Sequence, residues 1–247
     1  MYITLAQVYD RLTRDIDYEA MADHVARVFR SCRIQPSLVL DLGCGTGSLA
    51  LSLISRGFEL IGVDNSPDML DCASRKAASD GKELLLLLQD VRSFELYGTV
   101  GAILATMDVL NYVTDKRQML KTFRLVRNYL DPGGLFLFDL NSPYKLSILL
   151  PGQTFYHVDD EVTWLWNSTY DKRRAVCTFD LTFFLSDGEG RYVRHDEIHE
   201  ERAWREDEIR ELLGHAGLDC LSVRDGFTVH KPGPETERLF FVARRPM

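Results

Sequence analysis

Short runs of consecutive apolar residues recur through the first part of this chain, and amphipathic stretches separate them. The runs lie at Leu38–Leu40, Leu60–Val63, Leu84–Leu88, Ala102–Ala105 and Leu135–Phe138. Strands that are apolar at consecutive positions are typical of parallel sheets covered by helices on both faces. One amphipathic stretch opens with Ser66 and Pro67, a pair typical of a helix start. Strands that alternate with helices predict an α/β fold with a doubly wound, mostly parallel sheet.

The pattern changes after residue 150, where apolar and polar residues alternate. Val162–Tyr170 and Cys177–Leu185 both alternate with a period of two, and Asp187–Gly190 provides a hairpin turn. This pattern predicts antiparallel strands. Two further strands, near residues 218–224 and 238–243, would complete a seven-stranded sheet.

These patterns divide the chain into three expected units. They are an N-terminal helical segment over residues 1–36, an α/β domain formed by residues 37–150 and 204–247, and an antiparallel β insertion over residues 151–203. The insertion has one apolar face that must be buried. We expect it to be a cap over the ligand-binding edge or a dimer contact, in a monomer or homodimer.

Charge and cysteine usage narrow the class of protein. There are 29 lysines and arginines against 37 aspartates and glutamates, for a formal net charge of −8. This balance makes nucleic acid or an anionic membrane an unlikely partner. The longest purely apolar run, Leu84–Leu88, is far shorter than the roughly 20 residues that span a bilayer. The five cysteines form no C-x-x-C pair, which predicts free thiols in the cytoplasm and no zinc site.

A glycine-rich turn follows the first predicted strand, in Asp41-Leu-Gly-Cys-Gly-Thr-Gly47. Glycines at this position let the backbone turn tightly and approach a ligand. Asp41, Asp64, Asp90 and Asp139 all fall at the carboxyl ends of predicted strands, the edge where open α/β sheets bind ligands. An acidic rim of this kind favours a ligand that carries positive charge.

The same turn also matches a relaxed dinucleotide fingerprint, Gly45-x-Gly47-x-x-Ala50. A dinucleotide would bring its pyrophosphate close to Asp41, where like charges repel. S-adenosylmethionine has no phosphate, carries a sulfonium, and offers an amino group to Asp41. The charges therefore favour the sulfonium cofactor. An NAD(P)-dependent oxidoreductase and a cofactor-binding protein without catalysis stay open as alternatives.

Four motifs in order resemble those of class I S-adenosylmethionine-dependent methyltransferases. They are Asp41–Gly47, Gly62–Leu70, Gln89–Val91 and Leu130–Gly134. The N-terminal segment and the β insertion resemble a bacterial subgroup that acts on small molecules. The resemblance implies a Rossmann-like methyltransferase fold, S-adenosylmethionine as the cofactor and a small-molecule acceptor, with RNA as the main alternative acceptor.

By position, the resemblance assigns cofactor contacts to residues in or beside these motifs: Tyr9, Asp41, Gly43, Gly45, Gly47, Asp64, Asn65, Met69, Asp90, Val91 and Thr106. The glycines would line the methionine and ribose portion, and Asp41 would hold the amino group. Asp64 would bind the ribose hydroxyls, and Met69 would pack on the adenine. Asp90 and the Val91 backbone would meet the adenine edge, while Thr106 would face the methionine end.

The acceptor side carries fewer signals. Candidate catalytic residues are Asp108, Tyr112 and His199, and candidate acceptor contacts are Asp139, Trp164, Trp166 and Tyr170. Asp108, Asp139 and Asn141 resemble the magnesium ligands of catechol-type methyltransferases, but in that set the last two are adjacent and here Leu140 separates them. We therefore expect no metal.

Overall fold

The structure, a computed structural model, describes residues 5–247, apart from the side chains of residues 5, 7 and 8. Residues 1–4 of the predicted N-terminal segment lie outside this range. The helices are α1 (Leu5–Leu12), α2 (Tyr18–Ser31), α3 (Ser48–Ile54), α4 (Pro67–Ser79), α5 (Lys116–Tyr129) and α6 (Glu206–Ala216). A 3₁₀ turn spans Val109–Tyr112 and a π-helical turn spans Lys145–Leu149.

Eleven strands form two sheets within the described residues. Seven belong to the first sheet: β1 (Leu38–Leu42), β2 (Glu59–Asp64), β3 (Leu85–Leu88), β4 (Val100–Ala105), β5 (Leu130–Asn141), β10 (Asp219–Asp225) and β11 (Arg238–Arg244). The second contains β6 (Thr154–Val158), β7 (Val162–Asp171), β8 (Val176–Ser186) and β9 (Tyr192–Arg202). The predicted helix start is confirmed, because the Ser66 side chain caps α4 and Pro67 is its first residue.

The seven-stranded sheet has the order β3-β2-β1-β4-β5-β11-β10. Neighbours from β3 to β5 pair in parallel, whereas β11 runs antiparallel to both β5 and β10. The predicted doubly wound, mostly parallel, seven-stranded sheet is therefore confirmed. The order reverses between β1 and β4, and ligands bind outside the carboxyl ends of the strands at such a switch point.

Both faces of this sheet are covered by helices, as the consecutive apolar strands predict. On one face, Phe123 of α5 and Leu212 of α6 pack against Phe136 and Phe138 of β5. On the opposite face, α2 and α3 pack against the alternate strand residues, and Leu137 of β5 is among them. The period of two along β5 explains why one strand serves two core layers.

The apolar face of the β insertion is covered by the chain itself. Trp166 and Tyr170 pack against a cluster that contains Leu146 and Leu150, just after β5. Trp164 packs against a second cluster, with Leu12 of α1 at its border. Burial of this apolar face therefore does not require a dimer contact, because the face already packs against other parts of the same chain. Strand β6, which the sequence analysis did not predict, lies at the edge of this sheet.

The helices can be compared with what a membrane span requires. No helix among the described residues combines the length and the apolar character that crossing a membrane requires.

Candidate active site

The glycine turn between β1 and α3 is built on left-handed backbone. Gly43, Gly45 and Gly47 have φ angles of 71°, 54° and 75°, which only glycine adopts without strain. A Cβ atom on Gly43 would also clash with the side chain of Val109. The turn therefore leaves a cradle of bare backbone at the switch point, where a ligand can approach closely.

Asp41 lies at the floor of this cradle and is only 2% exposed. Burial, and secondarily the nearby charge of Asp64, raises the pKa of Asp41 to about 7. None of the described side chains or backbone groups donates a hydrogen bond to its carboxylate in the structure. A buried carboxylate is costly without a partner. The amino group of a bound methionine moiety would supply that partner.

Asp64 is the last residue of β2 and is already oriented by two backbone amides. Its Oδ2 accepts a hydrogen bond from the Gly45 N–H at 2.8 Å, and its Oδ1 accepts one from the Ser66 N–H at 2.9 Å. Each carboxylate oxygen has further acceptor capacity. Asn65 is exposed and Met69 is half-buried on the first turn of α4. These residues lie together at the ligand edge, as the sequence analysis expects.

Asp90 follows β3 and has a partner that the sequence analysis did not anticipate. Arg92 donates to both of its oxygens, at 2.8 and 2.5 Å, and this guanidinium lowers the pKa of Asp90. An adenine amino group can donate to Asp90 only if the carboxylate accepts from the adenine and Arg92 together, or if the Arg92 side chain moves away. The neighbouring Val91 is half-buried, and its assignment to the adenine edge stays a prediction.

The turn after β4 is held in a strained conformation. Thr106 is buried, and Met107 and Asp108 both have positive φ angles, of 62° and 58°. The Asp139 carboxylate accepts hydrogen bonds from the Met107 N–H at 2.7 Å and the Asp108 N–H at 3.3 Å. Strain of this kind persists only where the surroundings hold it, often at functional sites.

Arg238 at the start of β11 completes this arrangement. Its guanidinium donates to Asp108 at 2.7 Å and forms an ion pair with Asp139. Asp139 is fully buried, and its carboxylate supports the turn. Its contact with the acceptor stays a prediction. Arg238 also supplies positive charge between the two carboxylates that the magnesium resemblance invoked, and no cluster among the described residues is arranged to hold a metal.

Asparagines join the β insertion to the ends of β4 and β5. Asn111 donates from Nδ2 to the Asn141 carbonyl at 3.1 Å and to the Arg202 carbonyl at 3.0 Å, and accepts from the Asn141 N–H at 2.9 Å. Asn141 in turn donates to Glu201 at 2.8 Å. Lys145 donates to Asn141 at 2.9 Å. The sequence analysis missed Lys145 and Glu201, which have no motif.

Aromatic residues surround the space next to this network. Tyr112 is 46% exposed and meets the His199 ring edge-on, with centroids 5.7 Å apart. Desolvation by the surrounding chain raises the pKa of Tyr9 and, although part of its surface is exposed, that of Tyr112, and the charge of Asp108 adds to both effects. Three predicted residues, Tyr9, Tyr112 and Asp108, are therefore brought within electrostatic reach of one another. His199 Nε2 lies 2.8 Å from Glu197 Oε2, which is hydrogen-bond distance.

Helix α1 is fastened to the glycine turn by Asp10. Its carboxylate accepts from Thr46 Oγ1 at 2.6 Å and pairs with Lys76 of α4 at 2.9 Å. At the other side of α1, Arg11 pairs with Glu161 of the β insertion. The helix therefore bridges the cradle and the insertion, and brings Tyr9 over the site.

Known proteins are similar to this chain in sequence and in fold over nearly its whole length. A family model described as a methyltransferase domain matches residues 39–134. YqeM of Bacillus subtilis (strain 168), which carries a provisional methyltransferase name, is 33% identical over 99% of this chain and 97% of its own. A crystal structure of an S-adenosylmethionine-dependent methyltransferase from Clostridium acetobutylicum ATCC 824 is 34% identical, covers 98% of both chains and has a TM-score of 0.90. The chain belongs to the S-adenosylmethionine-dependent methyltransferases.

For this methyltransferase, the class I fold and the S-adenosylmethionine cofactor expected from the motifs are confirmed. The oxidoreductase and non-catalytic alternatives are wrong. The cradle fits a cofactor with a cationic methionine portion, as does the carboxylate of Asp41, which accepts no hydrogen bond from the described residues. The sugar N-methyltransferase KedS8 from Streptoalloteichus sp. ATCC 53650 shares the fold with a TM-score of 0.82 at 22% identity, over 100% of this chain and 96% of its own.

Proposed function

We propose that this methyltransferase transfers a methyl group to an amine nitrogen of a small molecule. The observation that carries the proposal is the concentration of carboxylates on the acceptor side of the site. After burial, the charges of Glu201, Asp108 and Glu197 raise the pKa of Tyr112, so these three side chains lie within electrostatic reach of its hydroxyl. An acidic space of this kind attracts an ammonium group.

The two basic side chains beside this space are already engaged. Arg238 pairs with Asp108 and Asp139, and Lys145 donates to the Asn141 amide. Burial lowers the pKa of Lys145, and the charge of Arg238 adds to that effect. Arg238 therefore offsets part of the charge of Asp108 and Asp139, whereas Glu201 forms its hydrogen bond with a neutral amide and has no cationic hydrogen-bond partner among the described residues.

When bound, S-adenosylmethionine supplies a methyl group on a sulfonium whose sulfur leaves as a neutral thioether. The chain has to align the acceptor nitrogen with that methyl group and exclude water. Asp41 and Asp64 would hold the amino group and the ribose. The strained turn at Met107 and Asp108 would fix the methionine end, and Tyr9 on α1 would close the site.

A second open space lies beside the N-terminal helix. A cavity of about 590 Å³ lies between α1 and the β6–β7 hairpin, within the usual range for small-molecule sites. Asp10, Arg14, His157 and Trp164 are among the residues that line it. Asp10 also contacts Thr46, so the cavity adjoins the glycine turn. This cavity shares no lining residue with the carboxylates near Tyr112, so it does not locate the acceptor. Trp166 and Tyr170 pack against the core of the insertion, and the acceptor contacts of Trp164, Trp166 and Tyr170 stay predictions.

An RNA acceptor is the weaker alternative. The basic residues Arg117, Lys121 and Arg124 are exposed along α5, but the formal net charge of the chain is −8, which disfavours an RNA partner. The sugar N-methyltransferase KedS8, which shares the fold, acts as its name says on a sugar nitrogen. That name supports the amine proposal by analogy of fold, while the charges of the site carry it.

A transfer assay tests the proposal. S-adenosylmethionine with a labelled methyl group is incubated with the protein and, separately, amino sugars, alkylamines, phenols and unmodified transfer RNA. Thermal stabilisation by S-adenosylhomocysteine first verifies a competent cofactor site. We expect label to appear on amine-bearing molecules. Transfer to phenols or RNA with inert amines would contradict the proposal.

We also propose that the enzyme works in the cytoplasm. The five cysteines are all free thiols, and Cys72 and Cys177 are buried. Unpaired thiols are typical of proteins in a reducing compartment. Fractionation of the native host, followed by immunodetection, tests this location.

A further inference from the structure

We propose that Glu201 is the catalytic base that removes a proton from the acceptor amine. This inference rests on the proposed function, since it requires an amine acceptor. The proton passes from the ammonium nitrogen to a Glu201 carboxylate oxygen. The freed lone pair of the nitrogen forms the bond to the methyl carbon, and the electron pair of the broken carbon–sulfur bond remains on sulfur. Glu201 releases its proton to water after the methylated ammonium leaves.

Glu201 is placed at the ligand edge by the asparagine network. It lies on β9, in register with Cys177 of β8, and is only 4% exposed. Asn111, in the turn after β4, holds the neighbouring Arg202 carbonyl and both backbone groups of Asn141. These bonds fix the end of β9 against the carboxyl ends of β4 and β5, where the cofactor's methionine end is expected.

One oxygen of the Glu201 carboxylate is oriented and the other is left for a ligand. Oε2 accepts the hydrogen bond from Asn141 Nδ2 at 2.8 Å. Lys145 holds that amide in turn through Asn141 Oδ1, at 2.9 Å. Among the described residues, no hydrogen bond is formed by Oε1. A base that is oriented in advance through one oxygen can accept a proton through the other without rearrangement.

The charges around Glu201 suit this role. Asp108 faces it from the turn after β4, Lys145 from the turn after β5, and Arg238 from β11. Burial and then Asp108 raise the pKa of Glu201 to about 8, although Asn141, Lys145 and Arg238 act in the opposite direction. A carboxylate that titrates near the working pH is a far better base than an exposed one.

The other candidate bases near this space are already committed. Asp108 is paired with Arg238, and His199 is paired with Glu197 on its own strand. Tyr112 has a raised pKa and stays protonated at neutral pH, so its hydroxyl is not available as a base. Asp108, Tyr112 and His199 are the catalytic candidates predicted from the sequence, and Glu201 is not among them.

The test compares Glu201→Gln with Glu200→Gln. Glutamine retains the oxygen that accepts from Asn141 but cannot take a proton. Glu200 is the adjacent residue, on the opposite face of β9, where it pairs with Arg174. We expect kcat with an amine acceptor to fall about 100- to 10,000-fold in Glu201→Gln, as for loss of a general base, and to be unchanged in Glu200→Gln. The affinity for S-adenosylhomocysteine should be the same in all three proteins.

Two further measurements separate a base from a structural residue. The kcat of the wild type should rise with pH to a plateau, with an apparent pKa near 8, and Glu201→Gln should lack this limb. In the protein without cofactor, NMR of ¹³C-carboxyl-labelled glutamate should show one side chain titrating near pH 8 that disappears in Glu201→Gln. The NMR titration can be carried out before an acceptor is known. The pH profile of the wild-type kcat does not depend on whether Glu201→Gln folds.

The outcomes distinguish this proposal from the function on which it depends. If the wild type methylates no amine but methylates another class of acceptor, the proposed function fails and the role of Glu201 fails with it. If amines are methylated and Glu201→Gln retains wild-type kcat, or the wild-type kcat is flat from pH 6 to 9, only the role of Glu201 is overturned. A glutamate signal that titrates near pH 4 also overturns it.

Discussion

At the floor of the glycine turn, the buried carboxylate of Asp41 lies close to Asp64 and meets no hydrogen-bond donor among the described residues. Below pH 4 this group is neutral in both the folded and the unfolded chain. As the pH rises, the unfolded chain ionises first, so Asp41 destabilises the fold increasingly up to pH 7. Asp41→Asn should therefore stabilise the cofactor-free protein at pH 8 by about 2 kcal/mol. It should also weaken S-adenosylhomocysteine binding at least tenfold.

Urea denaturation and calorimetry measure these two effects. Asp68→Asn, in the exposed first turn of α4, is the control and should change neither value. A variant that loses both stability and cofactor affinity would show that Asp41 has a partner in the cofactor-free fold.

Asp64 should contribute more to cofactor affinity than any other exposed or half-buried carboxylate on this edge. Each charge-assisted hydrogen bond to a ribose hydroxyl contributes about 1.5–3 kcal/mol. We expect Asp64→Ala to weaken S-adenosylhomocysteine binding about 10- to 100-fold in calorimetry, also because the Gly45 and Ser66 amides lose their acceptor. Asp68→Ala should bind normally. Equal affinities of the two variants would contradict this assignment.

Asp139 should matter for stability rather than for acceptor binding. It is buried, pairs with Arg238, and accepts from the amides of the strained turn. Removing one partner of a buried ion pair costs about 3–5 kcal/mol. Asp139→Ala should therefore lower the free energy of unfolding by about 3 kcal/mol in urea titrations. Asp180→Ala, on the exposed face of β8, is the matched control. If Asp139→Ala keeps wild-type stability and loses only turnover, the result would support the predicted contact between Asp139 and the acceptor.

The residues of the cofactor side could be predicted because glycine turns and strand-end carboxylates have sequence signals. The acceptor side could not. Arg238 is far from Asp108 in sequence and meets it only because β11 lies beside β5. Glu201 looks like one of several acidic residues on an alternating strand, and its burial depends on Asn111 and Asn141, which no motif marks.

At the scale of elements, the β insertion depends on its aromatic residues for attachment. Trp166 lies between Phe155 and Phe179, and packs against the cluster that contains Leu146 and Leu150. Large-to-small changes at packed aromatic positions cost about 3–5 kcal/mol, and Trp166 is only partly buried. We expect Trp166→Ala to lower the free energy of unfolding by about 2 kcal/mol in urea titrations, without changing the mass measured by light scattering.

The matched control is Tyr156→Ala, since Tyr156 is 72% exposed on strand β6. It should have wild-type stability. A change of mass in Trp166→Ala, with unaltered stability, would show that the aromatic residues form a subunit contact after all.

The elements that could be predicted from the sequence are those with a clear pattern of apolar residues. The five parallel strands and the β7–β9 strands have unambiguous patterns, and α4 carries its own cap. Strand β6 is five residues long and exposed along most of its length, so it has no apolar period to reveal it. The π-helical turn at Lys145–Leu149 depends on tertiary contacts of Leu146, which no local pattern encodes.

At the scale of the whole molecule, His24 makes stability depend on pH. It is buried on α2, with its ring edge-on to Phe227 and Phe240 at 5.7 and 5.0 Å. Burial, and then the charge of Arg27, lowers the pKa of His24. Below about pH 6.5 the unfolded chain binds a proton that the folded chain resists, so stability falls as the pH drops.

We expect the free energy of unfolding to decrease from pH 7 to pH 5 more steeply in the wild type than in His24→Phe, by up to about 1.4 kcal/mol per pH unit. His215→Gln, at an exposed position on α6, should follow the wild type. Parallel curves for the wild type and His24→Phe would refute the assignment.

The position of β11 has a consequence for how the protein is made. This strand follows β10 in the chain but lies between β10 and β5 in the sheet, and it carries Arg238. A growing chain on the ribosome that has emerged only as far as β10 has an unpaired β5 edge and no cation for Asp108 and Asp139. The turn after β4 therefore acquires its shape late in synthesis. A chain released before residue 238 would have an open strand edge, which is a site for aggregation, and an incomplete turn.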